Sequence, residues 1–84
     1  MESRRKPPQC YLNNMNDGAQ GRIIKIAATG ATRHRIFSLG LVEGSTVIFR
    51  DKNPLTKSIR VVIRGRSLEL AEELAQEIVV EVNS

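Results

Sequence analysis

Residues 46–64 read TVIFRDKNPLTKSIRVVIR and contain the clearest strand signals of the 84-residue chain. In residues 59–64, apolar side chains alternate with a second face that holds two arginines, which is the period of a half-buried β-strand. Residues 46–50 are mostly β-branched or aromatic, as residues of strands are. The Asn-Pro pair at 53–54 marks a loop over residues 51–58. The stretch therefore predicts two strands joined by a loop.

Shorter strand signals lie on both sides of this stretch. Residues 22–26 predict a strand with Ile24 and Ile26 on one face and Ile23 on the other. Residues 67–70 alternate briefly, and residues 78–82 predict a closing strand.

Helical signals are short. Residues 31–39 predict a helix that ends at Gly40, and residues 71–77 predict one or two further turns. Connections this brief exclude a doubly wound parallel fold, whose crossovers need about a dozen residues or more. A small set of strands avoids bare edges by curling into a partly closed barrel. We therefore predict a mainly β fold: a small SH3-like or OB-like partly open barrel of about five short strands with one or two short helices.

Charge is distributed unevenly along the chain. Residues 1–66 carry all 13 lysines and arginines and four acidic residues, a net charge of +9, whereas residues 67–84 carry five glutamates and no basic residue. We expect residues 1–10 to form a flexible basic tail and residues 11–84 to form a single domain.

A single cysteine, Cys10, excludes an intrachain disulfide, and no apolar run is long enough to cross a bilayer. These features predict a cytoplasmic protein without membrane insertion.

Candidate catalytic and metal-binding residues are scarce. His34 and Cys10 are the single histidine and the single cysteine, too few for a structural zinc site. We find no nucleophile with a base beside it and no phosphate-binding loop, so we predict no enzyme activity and no cofactor. Metal sensing through Glu73, Glu77 or His34 at a subunit interface stays open, and the metal ligands are unknown.

Basic residues are the remaining functional signal. Arg60 and Arg64 are predicted to bracket Val62 on one strand face, which would suit a partner with acidic groups around an apolar centre. The alternative, that these arginines only form an ordinary solubilising strand face, has equal weight. Arg33 and Arg35 lie on the predicted helix and fan around it instead of forming one stripe.

Residues 33–45, RHRIFSLGLVEGS, resemble the pattern RxRLxxLGLxPGs of the ferrous iron transport protein A (FeoA) family. Asn-Pro-Leu at 53–55, the strand that ends at Gly65 and the segment Leu-Glu-Leu at 68–70 follow at the family's spacing. The resemblance extends over roughly residues 15–82. Glu43 stands where the family often has proline, and residues 56–58 differ from its usual Gly-Asp-Pro.

The resemblance implies an SH3-like cytosolic accessory protein of bacterial ferrous iron uptake. The implied partner is FeoB, a membrane transporter with a cytosolic GTPase domain, which the protein would bind and modulate. As partner-facing residues we predict the hairpin loop and the basic positions, namely Pro54, Leu55, Lys57, Arg60, Arg64, Arg33 and Arg35.

Three alternatives remain beside that function. Self-association is open. Nucleic-acid binding is less favoured, because aromatic residues make up only 4% of the chain and a stacking surface needs several. The same fold forms a carboxy-terminal domain of iron-dependent repressors, which would imply metal sensing. Since no helix-turn-helix segment precedes the pattern, the resemblance favours a stand-alone transport protein.

Overall fold

The structure is a computed structural model, and it describes residues 8–83. Within these residues, six strands and two helices follow one another. They are β1 (Gln9–Tyr11), β2 (Gln20–Ile26), α1 (Gly30–Ser38), β3 (Thr46–Asn53), β4 (Ser58–Ile63), β5 (Arg66–Ala71), α2 (Glu72–Ala75) and β6 (Ile78–Val82), with a 3₁₀ turn at Leu12–Asn14 after β1.

All six strands form one antiparallel sheet in the order β1-β6-β2-β3-β4-β5. The strands β1 and β5 therefore lie at the two ends of the sheet. Helix α2 contacts β4, β5 and the 3₁₀ turn that follows β1, so it bridges the two ends. The predicted mainly β architecture, a small partly open SH3-like barrel, is confirmed.

The core consists of the inward faces of these strands. Phe49 is the largest fully buried side chain, and Ile59, Val61 and Ile63 of β4 are buried as their alternation predicts. Gly21 lies against the backbone of β6, since a Cβ atom there would stand 2.8 Å from the carbonyl oxygen of Glu81. The buried faces of the strands therefore form one continuous apolar core.

The strand β1 corrects the predicted tail over residues 1–10. Gln9 and Cys10 pair with Glu81 and Val80 of β6, and the amide of Val82 donates a 2.8 Å hydrogen bond to the carbonyl of Pro8. Three residues are too few to show a strand period, which is why the sequence did not predict this sixth strand. Residues 1–7 of the predicted tail lie outside the described residues.

A bulge in β2 corrects its predicted faces. Ile23 pairs with Val80 and Lys25 with Val79, so Ile24 is an extra residue on this strand. The extra residue shifts the alternation by one position. Ile23 and Ile26 therefore both face the core, although the sequence predicted opposite faces.

The strand β3 is longer than predicted. It continues to Asn53 past a second bulge at Arg50, so the loop between β3 and β4 is only residues 54–57. Pairing of Asp51 with Arg60 and of Asn53 with Ser58 extends the hairpin beyond the part of β3 that pairs with β2. The predicted loop over residues 51–58 was therefore too long, because pairing overrides the low strand propensity of Asp51 and Asn53.

Candidate partner-binding surface

The β3–β4 hairpin carries an apolar side chain at its tip. Leu55 is 93% exposed, more than any other large apolar residue of the described chain. The side-chain oxygen of Asn53 accepts hydrogen bonds from the amides of Leu55, at 3.0 Å, and Thr56, at 3.4 Å. Such a bond from Asn to the backbone two residues on fixes the turn locally. The tip therefore presents Leu55 on an ordered turn.

A chain of hydroxyl groups connects this tip to the next strand. Ser58 Oγ donates a 2.8 Å hydrogen bond to Glu69 Oε2 on β5, and it lies 2.7 Å from Thr56 Oγ1. Since the single hydroxyl proton of Ser58 is used by the carboxylate, Thr56 must be the donor to Ser58. The amide of Glu72 also bonds to the carbonyl of Lys57 at 2.9 Å. The hairpin tip is thus held to both β5 and α2.

Arg60 is not a free positive charge on this hairpin. Its Nε lies 3.5 Å from Asp51 Oδ1, with both side chains at least half exposed, and Glu69 is its cross-strand neighbour on β5. These residues line a surface depression of about 390 Å³ that also includes Ser58. An exposed ion pair of this kind contributes little to stability. The Asp51 carboxylate nevertheless offsets part of the positive charge of Arg60, which the sequence analysis predicted to face a partner.

The position of Arg64 contradicts the prediction that Arg60 and Arg64 share one strand face. The strand β4 ends at Ile63, and Arg64 occupies a two-residue turn with Gly65, at φ values of 53° and 78°. Positive φ at both positions is the geometry of a type I′ hairpin turn. Arg64 therefore lies at the opposite end of β4 from the tip, about 20 Å away at ~3.3 Å per strand residue.

Arg33 has structural contacts on α1. Its Nη1 donates a 3.0 Å hydrogen bond to the carbonyl of Ile26, and its guanidinium lies 4.6 Å from the centre of the Phe37 ring. Arg35 is exposed and lines a different depression, together with Glu73 and Glu77.

The seven predicted partner residues therefore lie in four separate places. Pro54, Leu55 and Lys57 are at the hairpin tip, Arg60 is in the middle of β4, Arg64 is in the β4–β5 turn, and Arg33 and Arg35 are on α1.

Two contributors to the tip were missing from the sequence-based set. Asn53 orders the turn, and its position before proline is a recognisable turn signal. The bond from Ser58 to Glu69 spans 11 residues of chain, and no local pattern indicates it.

Metal-ligating and reactive groups are sparse in the part of the chain that the structure describes. Within residues 8–83 no three His, Cys, Asp or Glu side chains come close enough to hold a metal ion together. Burial raises the pKa of the half-buried Cys10 thiol, which favours its protonated form. In the same residues no helix has the length and apolar character needed to cross a membrane. Nucleic-acid binding and metal sensing between subunits stay predictions.

The sheet order, the bridging helix and the paired hairpins define a small SH3-like barrel domain. A family model described as the FeoA domain matches residues 10–82, and the chain belongs to this family, whose context is ferrous iron transport.

Solved structures share this fold. A crystal structure of an iron uptake regulatory protein, FeoA, has a TM-score of 0.83 at 22% identity and covers 90% of this chain and 100% of its own. A FeoA-like protein from Clostridium acetobutylicum has a TM-score of 0.81 at 29% identity, covering 90% of this chain and 88% of the other. A manganese-dependent transcriptional repressor in complex with manganese has a TM-score of 0.85 at 25% identity, covering 93% of this chain but 38% of the repressor. Comparison with curated protein sequences gives no significant match.

Proposed function

We propose that the protein is a cytosolic accessory module of bacterial ferrous iron uptake that binds the cytosolic portion of a FeoB-type transporter and modulates it. Family membership supports the transport context, and the observation that carries the binding proposal is Leu55 at the β3–β4 tip. The role is that of an interaction module without chemistry of its own.

The tip has the properties of an interface anchor. A leucine that is 93% exposed gains nothing from folding, whereas its burial against a partner contributes about 1.5–3 kcal/mol. The turn hydrogen bonds of Asn53 order the backbone before binding, which lowers the entropy cost of association. Lys57 beside it supplies a positive charge at the rim.

Calorimetric titration with the cytosolic portion of the transporter, in the GDP-bound and the GTP-bound state, tests the proposal. We expect saturable binding, and Leu55→Ser should weaken it about 10- to 100-fold while leaving the thermal midpoint unchanged. Tyr11→Thr is the matched control, because Tyr11 is a 46% exposed residue on β1, which pairs with β6 and not with the β3–β4 hairpin. Absence of saturable binding in both nucleotide states, or equal weakening by the two substitutions, would contradict the proposal.

A further inference from the structure

A second depression lies at the other end of β4, between the end of α1 and the β4–β5 turn. We call it the α1–β5 groove; it has a volume of about 170 Å³. Leu39, Ile63 and Leu68 provide its apolar surface, and the two leucines are only half buried. Arg64 and Arg66 provide its charge. The groove thus combines an apolar floor with a basic rim.

The charge of this groove distinguishes it from four other depressions of the described surface. Each of these four includes a glutamate or an aspartate, among them Glu69, Glu73 and Glu77. The α1–β5 groove has no acidic residue in its lining. Neither Arg64 nor Arg66 has a side-chain hydrogen bond or ion pair to another described residue. The carbonyl end of α1 carries about half a negative charge, less than the two guanidinium groups together.

The backbone at this groove is open on one side. The strand β5 ends the sheet, so its outer edge has no neighbouring strand among residues 8–83. Because the β4–β5 loop has two residues, Ile63 and Arg66 exchange the first hydrogen bonds of the hairpin. Antiparallel pairing then alternates, so the amide and carbonyl of Ser67 point away from β4. Ser67 lines the groove and is exposed.

We propose that the α1–β5 groove binds an acidic peptide segment of a protein partner in extended conformation. One apolar side chain of the segment enters between Leu39 and Leu68, and carboxylates on the same face of the peptide pair with Arg64 and Arg66. The outer edge of β5 at Ser67 supplies main-chain hydrogen bonds. The apolar floor favours such a peptide over a phosphate backbone, which offers no side chain to cover Leu39 and Leu68. This site lies at the opposite end of β4 from Leu55 and does not depend on the transporter proposal.

Titration of the ¹⁵N-labelled protein with the synthetic peptide Glu-Glu-Leu-Glu-Glu, blocked at both ends, tests this site. We expect amide shift changes concentrated in residues 38–40 and 63–68, and weaker binding as salt rises from 50 to 500 mM. A peptide with lysine at the four glutamate positions should leave these amides unchanged. Shift changes at other positions, or equal effects of the two peptides, would overturn the proposal.

Substitution of the rim arginines separates charge recognition from folding. The double variant Arg64→Asn/Arg66→Gln should weaken peptide binding at least about fivefold, and asparagine tolerates the positive φ of position 64. Arg50→Gln is the control, since Arg50 is exposed on β3 away from the groove. If the double variant loses its native spectrum, Arg64→Lys/Arg66→Lys takes its place and should retain binding within about threefold. Unchanged affinity of the folded Asn/Gln variant, or tighter binding of a short DNA duplex than of the peptide at the same amides, would refute the assignment.

Discussion

Replacement of Ser58 by alanine should loosen the hairpin that carries Leu55. Ser58 is only 7% exposed. Its hydroxyl donates a hydrogen bond to the Glu69 carboxylate at 2.8 Å and accepts one from the Thr56 hydroxyl at 2.7 Å. A hydrogen bond to a charged group contributes about 1.5–3 kcal/mol. Glu69 is exposed and regains water when the bond is lost. We therefore expect Ser58→Ala to reduce the free energy of unfolding by about 1–2 kcal/mol, which lowers the thermal midpoint by about 4–8 °C per kcal/mol.

Urea denaturation followed by circular dichroism measures this change. Ser67→Ala is the control, because Ser67 is exposed on β5 and its hydroxyl makes no hydrogen bond to another described residue. It should change stability by less than about 0.5 kcal/mol. A double-mutant cycle with Glu69→Ala isolates the bond across the hairpin, and we expect a coupling energy near 1 kcal/mol. A coupling below about 0.3 kcal/mol, or equal effects of the two serine substitutions, would refute the argument that Ser58 holds the tip.

Two further predictions concern the sheet and its edge. Gly21→Ala places a Cβ atom 2.8 Å from the carbonyl oxygen of Glu81. The substitution should therefore lower the free energy of unfolding, measured by urea titration, by about 1–3 kcal/mol. An unchanged free energy of unfolding would show that β2 and β6 separate easily. Cys10 should react with iodoacetamide more slowly in the folded protein than in urea at pH 8, since burial raises the pKa of its thiol. Because the unfolded chain releases this proton at lower pH, the contribution of Cys10 to stability is present below its unfolded pKa and decreases above about pH 8.5. Equal alkylation rates in the two states would contradict its placement in β1.

The strands that the sequence predicted well are those with an undisturbed period. Apolar positions at every second residue of β4 lead directly to the buried side chains Ile59, Val61 and Ile63. The errors occur where one residue interrupts the period. At Ile24 a bulge shifts the alternation, and bulges have no reliable sequence signal. Arg64 continues the alternation of β4 in sequence, but Gly65 after it allows the tight turn that ends the strand.

The candidate sites were predictable only where a local signal exists. Asn53 before proline indicates a turn, and a leucine within a polar loop is expected to be exposed, so the tip with Leu55 follows from sequence. The bond from Ser58 to Glu69 and the α1–β5 groove both depend on the pairing of β4 with β5 and on where α1 ends. Pairing of distant segments depends on the whole fold, and no single segment encodes it.

The claim that the hairpin tip is the partner-binding surface has one direct test. Amide spectra of the ¹⁵N-labelled protein, recorded during addition of the unlabelled cytosolic portion of the transporter, locate the contact residue by residue. We predict that amides of residues 53–58 broaden or shift first and saturably, while those of β1, which does not pair with the hairpin, remain unchanged. Saturable changes that leave residues 53–58 unaffected, or the absence of any change, would contradict the role assigned to Leu55.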